Sequence, residues 1–174
     1  MAPDVRRAAD VAIAARVQAL LDACTLGEHL VLAAFWPVRS EPDLREAMAR
    51  WHAGGRTIAL PRVAGSERAL EFGRWRPGAP MREDVFGIAV PEPFEPLCPT
   101  LLIAPCVGFD ARGWRLGYGG GYYDRTLGER PVASIGVAYD ACQIDGFVPM
   151  AHDRRLGAIV TETRTIVTDA AACS

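Results

Sequence analysis

The segment Arg115-Leu116-Gly117-Tyr118-Gly119-Gly120-Gly121-Tyr122-Tyr123-Asp124-Arg125 decides how this chain is read. Four glycines fall between positions 117 and 121. A backbone without Cβ atoms can turn through φ > 0 and come close to a ligand. Its amides can then converge on an anion. Arg115 and Arg125 can each offer a phosphate or carboxylate a bidentate contact, and Asp124 could take a hard cation such as Mg²⁺. Together these are the parts of a nucleotide-phosphate site. The segment is not a Walker A loop, which needs G-x-x-x-x-G-K-[ST]. Nor is it the dinucleotide fingerprint, because Tyr122 stands where a third glycine belongs. A plain surface turn is the competing reading, but such a turn has no need of adjacent tyrosines between two arginines.

Working outward, Leu101-Leu102-Ile103-Ala104 before the segment is an apolar run that suits a buried strand feeding Pro105. Tyr122 to Leu127 should open a helix, and Ala133 to Tyr139 reads as the next strand. Residues 5–24 carry apolar positions at helical spacing and predict an amphipathic helix. Leu30 to Trp36 is a second buried strand, ended by Pro37. Pro42 can sit in the first turn of a helix that runs to about His52 and stops at Gly54-Gly55. Thr57 to Leu60 is a further strand. Leu70 to Trp75 alternates and looks more exposed, as at an edge. Arg76 to Pro99 holds six prolines and reads as an irregular loop. Ala158 to Thr161 and Thr165 to Val167 are short closing strands. Strands alternating with helices predict an α/β fold: one domain over 1–174, with an open, mostly parallel twisted sheet flanked by helices. In such sheets ligands sit beyond the carboxyl ends of the strands. Three loops could meet there: one with Trp36 and Glu41, the glycine segment, and one with His152 and Asp153.

Each candidate has a plainer alternative. Asp124 and Asp153 could share Mg²⁺ with phosphate oxygens and water, yet Asp124 could be a helix cap or first-turn charge, and from spacing alone the plainer reading wins for either aspartate. Trp36 offers a flat face to a ring system, and Glu41 could accept paired N–H groups of a pterin-like heterocycle. On pattern alone, a core tryptophan and a solvated glutamate before a helix are the stronger reading. His152 more simply satisfies a carbonyl. Trp51, Trp75 and Trp114 are assigned to packing. Cys106 has no base arranged beside it and is not read as a nucleophile.

Composition narrows the function classes. The chain has 174 residues, 50% of them hydrophobic, and a net charge of −2, so nothing draws it generally to nucleic acid or an anionic membrane. All 19 basic side chains are arginine. A Walker A lysine, a Schiff-base lysine and a lysine general base are therefore excluded, and arginine must carry any phosphate charge. The five cysteines are scattered, odd in number and never spaced C-x-x-C, which predicts inert thiols rather than a zinc site or disulfide framework. No apolar run of membrane-spanning length is present, and a cytoplasmic location is expected.

The wider pattern resembles a known family. Pro105-Cys106-Val107-Gly108-Phe109-Asp110, Gly113 and the segment 115–125 are similar to the signature of 5-formyltetrahydrofolate cyclo-ligases, also called 5,10-methenyltetrahydrofolate synthetases. Phe35-Trp36-Pro37 with Glu41, Ala59 to Val63, Phe86-Gly87-Ile88, Gln143, Pro149, His152-Asp153 and Ile159 to Glu162 agree in order, so the likeness spans about residues 8 to 162. The resemblance implies ATP- and Mg-dependent closure of 5-formyltetrahydrofolate to 5,10-methenyltetrahydrofolate, giving ADP and phosphate. It implies that Arg115, Leu116, Gly117, Tyr118, Gly119, Gly120, Gly121, Tyr122 and Tyr123 hold the ATP phosphates, with Arg115 and Tyr122 catalytic. Asp124 and Asp153 would hold Mg²⁺, and Trp36, Glu41 and Tyr118 would contact the reduced folate. A monomer acting on small molecules, without nucleic acid or membrane, is expected. Family members usually open with a basic segment that contacts ATP, and Arg6 and Arg7 align poorly with it. A non-catalytic folate- or nucleotide-binding paralogue is therefore the alternative.

Overall fold

The computed structural model describes residues 1–24, 30–130 and 132–168. Helix α1, Pro3–Ala23, starts with proline at its first position, where the missing N–H costs nothing. Ala9, Ile13, Ala14, Val17 and Leu21 form its buried stripe. Strand β1 is Val31–Ala33, α2 is Arg45–Ala53, β2 is Thr57–Val63 and β3 is Leu70–Trp75. Short strands β4 (Met81–Glu83), β5 (Ala89–Pro91) and β6 (Pro96–Leu97) follow. Then come β7 (Leu101–Pro105), β8 (Gly108–Phe109), β9 (Arg115–Leu116), α3 (Tyr122–Glu129), β10 (Ala133–Val137), β11 (Ala158–Val160) and β12 (Thr165–Val167).

Eight strands form one sheet in the order β12-β11-β10-β7-β1-β2-β3-β6. The five central strands are parallel; β3 and β12 run against them at the two flanks, and β6, paired antiparallel to β3, runs with them. Strand alternation sorts the side chains onto two faces. Leu32, Ile58, Leu101 and Ile103 join α1 and α2 in one core cluster, with Ile13, Val17, Met48 and Trp51. Their neighbours Ala33, Ala59 and Leu102 face the other side, where Tyr122, Tyr123 and Leu127 of α3 pack. The result is an α/β sheet covered by helices on both faces, as the alternating pattern predicts.

The strand order adds what no local pattern carries. From β1 the chain steps to β2 on one side, whereas β7, β10 and β11 build outward on the other. The direction reverses between β1 and β7, and crevices for ligands open at such points beyond the strands' carboxyl ends.

Several expectations need correction. β3 is not an exposed edge: Leu70, Phe72 and Trp75 are buried, and β6 pairs along its outer side. A Cβ on Gly73 would meet the Phe94 ring at 2.5 Å, so that ring lies directly on the strand. The proline-rich stretch is not wholly irregular, since β4 and β5 pair as a hairpin and β6 extends the main sheet. Helix α2 begins at Arg45, three residues beyond Pro42, where the Asp43 carboxylate accepts the Arg45 N–H at 3.0 Å. Cys24 is disulfide-bonded rather than a thiol. Cys98, Cys106 and Cys142 are free, and Cys173 lies outside the described residues. Trp51 and Trp75 pack in the core as expected.

Candidate active site

The glycine bend runs from the end of β9 to α3, past the carboxyl end of β7. Gly121 caps α3 with φ 64°, the left-handed region that side chains avoid. Gly117 is required for a different reason: a Cβ there would stand 2.6 Å from Nη1 of Arg115. The Arg115 side chain thus passes directly beneath the bend. Among the described residues, the backbone N–H groups of 117–121 have no hydrogen-bond partner. A run of unpaired amides at a helix N-terminus is a ready anion site.

Both arginines of the segment are committed inward. Arg115 Nη2 donates to Oδ2 of Asp124 at 2.9 Å, with side chains only 4% and 12% exposed. Its guanidinium also lies 5.1 Å from the Tyr123 ring centroid, and its Nε is buried without a partner. The other Asp124 oxygen accepts the Arg154 N–H at 3.2 Å. Arg125 Nη2 donates to the Gly120 carbonyl at 2.6 Å and its Nε to the Arg68 carbonyl at 3.3 Å. Arg125 also sits 4.9 Å from the Tyr122 centroid, and Phe86 meets Tyr122 edge-on. In this state Arg115, expected to stand free for phosphate, is therefore a strut between bend and helix.

The loop after β1 reaches the same place. Glu41 is buried, and its Oε2 accepts the Val38 N–H at 2.9 Å. Burial pushes its carboxyl up to about 7, only partly opposed by that N–H and by the Arg39 charge. The Glu41 charge in turn raises Tyr118, Tyr123 and Cys106, groups of the glycine segment and its strand, each shifted chiefly by burial. Arg39 lies 4.6 Å from the Tyr118 ring centroid. Trp36 is half-buried, tilted against Trp75 at 6.4 Å and covered by Arg45 at 5.4 Å. From α1, Arg6 donates to the Glu41 carbonyl at 2.8 Å and to the Tyr139 hydroxyl at 3.2 Å, and that hydroxyl donates to Asp10 at 2.6 Å. Arg6 is thus a staple for this loop.

The third loop closes the group. The Arg154 N–H bond to Asp124 brings this loop to α3, with Asp153 as the preceding residue. Asp153 Oδ2 accepts the Met150 N–H at 2.7 Å, and Oδ1 lies 3.7 Å from the exposed His152. The structure so brings the bend, the loop bearing Arg39 and Glu41, Asp124 and the loop bearing Arg154 together, whereas Trp36 makes its ring contacts with Trp75 and Arg45. Nothing local distinguishes Arg39 and Arg154 among many arginines, and Arg6, which aligns poorly with the family's basic opening, reaches this loop only through the packing of α1. Cys106 is buried with its thiol pushed up to about 12, consistent with an inert role.

The donor set can be tested against the groups expected to bind. The free amides and the buried, unpartnered Arg115 Nε suit polyanionic oxygens. Two carboxylates suit Mg²⁺ that takes its remaining ligands from phosphate and water. Among the described residues no three His, Cys, Asp or Glu side chains form a metal cage, so the phosphate oxygens would be needed to complete such a site.

A mostly parallel sheet with helices on both faces and an amide-lined bend at its switch point defines this as an α/β protein. The 5-formyltetrahydrofolate cyclo-ligase family model matches residues 1–162, and the chain belongs to that family. It is 30% identical over 149 residues to the 5-formyltetrahydrofolate cyclo-ligase of Mycolicibacterium smegmatis, covering 78% of this chain and 75% of that one. Identity to the enzyme of that name from Haemophilus influenzae is 38% over 93 residues, and the match spans 48% of each chain, about half of that relative's length. The 5,10-methenyltetrahydrofolate synthetase of Aquifex aeolicus superposes with a TM-score of 0.81 at 26% identity, covering 97% of this chain and 85% of that one. The synthetase of Mycoplasma pneumoniae, at 21% identity and a TM-score of 0.73, shares the fold. Among the described residues no helix is long and apolar enough to cross a membrane.

Proposed function

We propose that this protein converts 5-formyltetrahydrofolate and ATP, with Mg²⁺, into 5,10-methenyltetrahydrofolate, ADP and phosphate, acting as a cytoplasmic monomer of one domain. The carrying observation is the run of unpartnered amides over 117–121 at the sheet's switch point. In this reading Leu116 to Tyr123 cradle the triphosphate through main-chain N–H groups, and Arg115 fixes the bend's shape from below. Trp36 and Tyr118 flank the folate rings, Glu41 accepts their N–H groups, and Tyr122 lies near the reacting end. The formyl oxygen bonds to the γ-phosphorus as the bond to ADP breaks. N10 then bonds to the formyl carbon, N10 gives up its proton, and the C–O bond breaks to release phosphate. The work is positioning and charge neutralisation rather than acid–base chemistry. Mg²⁺ would be held by Asp124 and Asp153 and would neutralise phosphate charge.

The test is direct. Protein, 5-formyltetrahydrofolate, ATP and Mg²⁺ are mixed, and the absorbance of the methenyl product is followed. ATP-dependent growth of that band is expected, and its absence at high protein concentration refutes the proposal. One observation favours a second reading. Arg115 and Asp124, candidate phosphate and metal residues, are spent on each other, as suits a non-catalytic folate- or nucleotide-binding paralogue. Calorimetry that finds tight folate binding in a protein without turnover would identify it.

A further inference from the structure

We infer that Arg39, which belongs to neither the glycine segment nor its helix, is a phosphate-binding residue of this site and supplies the mobile positive charge that the bend itself lacks. The inference rests on the triphosphate reading above. Three arginines contact the bend, and two are already engaged. Arg115 is paired with Asp124, and Arg125 donates to two main-chain carbonyls. Among the described residues the Arg39 guanidinium has neither a carboxylate nor a carbonyl partner; it rests 4.6 Å above the Tyr118 ring. Its edge also meets the Tyr118 hydroxyl, and these contacts to a neutral, exposed tyrosine are weak enough to give way to oxygen anions. Glu41 feels the Arg39 charge, but its Oε2 is taken by the Val38 amide and it makes no ion pair with Arg39.

The backbone at Arg39 is also unusual. Its φ is 53°, a left-handed conformation rare for a non-glycine residue and retained where surroundings enforce it. The enforcement is visible: Arg6 Nη2 donates to the Arg39 carbonyl at 3.4 Å and to the Glu41 carbonyl at 2.8 Å. Helix α1 therefore holds a strained turn whose outcome is to aim a free guanidinium across the crevice at Tyr118. The bend offers only neutral amides toward its open side, whereas a triphosphate carries several negative charges. In a chain without lysine, an arginine from the opposite loop is the available counter-charge. Because that loop also carries Trp36 and Glu41, the same contact would draw the folate loop onto the nucleotide.

The experiment measures binding of a non-hydrolysable ATP analogue and of 5-formyltetrahydrofolate separately, by calorimetry, in the parent, Arg39→Ala and Arg39→Lys. Thermal melting confirms that each is folded. In Arg39→Ala, nucleotide affinity should fall about tenfold or more, as for loss of a charge-assisted contact, with folate affinity within about twofold. Arg39→Lys should recover part of the loss. Unchanged nucleotide binding in Arg39→Ala overturns the inference. So does an equal loss for both ligands, or a loss confined to folate. A parent protein that binds no nucleotide overturns the triphosphate reading itself, and the role of Arg39 with it.

Discussion

Replacing Asp124 by asparagine isolates the buried pair under the bend. The substitution is nearly isosteric, so shape is retained and charge is lost. The Arg154 N–H can still be accepted by the amide oxygen, but the amide nitrogen then faces the Arg115 guanidinium, donor against donor. Arg115, 4% exposed, is left as an unpaired buried charge. Breaking such a pair costs about 3–5 kcal/mol. The 12% exposure of Asp124 favours the lower end, about 3 kcal/mol. A chain of this length has an unfolding entropy of roughly 0.37 kcal/mol/K, so the midpoint should fall by about 8 °C. Circular dichroism melts at pH 7 without ligand measure it. The double variant Arg115→Met with Asp124→Leu removes both charges and should recover at least half of the loss, because no charge is stranded. A midpoint for Asp124→Asn within about 2 °C of the parent would refute the argument that this pair is buried and mutually dependent. Turnover should fall further than folate binding in the same variant, and the ligand-free melt separates the strut from the metal role.

Gly117→Ala approaches the strut from above: its Cβ would lie 2.6 Å from Arg115 Nη1, so the guanidinium must move off Asp124. A loss of about 1–3 kcal/mol and a raised KM for ATP are expected, and Gly117→Ala should be less than additive with Asp124→Asn in the same melts. Glu41 predicts a pH profile. Its folded carboxyl is raised from 4.5 to about 7, so its contribution to stability is complete below pH 4.5 and is lost as pH rises through about 7. Parent stability from this source should fall by about 1–3 kcal/mol across that window. Glu41→Gln, compared by urea melts at pH 5 and 8, should abolish that pH difference. Alkylation by iodoacetamide at pH 7.5, read by mass spectrometry, should label exposed Cys98 and spare Cys106, which is buried with its thiol pushed up to about 12.

Much of the architecture follows from short-range chemistry. Helical spacing from Val5 onward, the apolar runs near 32 and 103, and glycines ahead of Tyr122 each specify a local conformation through sterics and burial, so α1, β1, β7 and α3 are legible in order. The glycine segment is legible as an anion site because side-chain absence is written in the residues themselves. The strands β4 to β6, of two or three residues each, carry too little periodicity to be read among six prolines; β4 and β5 exist by pairing with each other as a hairpin, and β6 because β3, more than twenty residues earlier, completes its hydrogen bonds. The reversal of strand order between β1 and β7 is likewise a through-space fact. So is the choice of ion partners: 19 arginines look alike in one dimension. Only packing decides that Arg115 is buried on Asp124, that Arg6 staples the Glu41 loop and that Arg39 is left free. Coulomb and hydrogen-bond energies depend on separation in space, and separation along the chain does not report it.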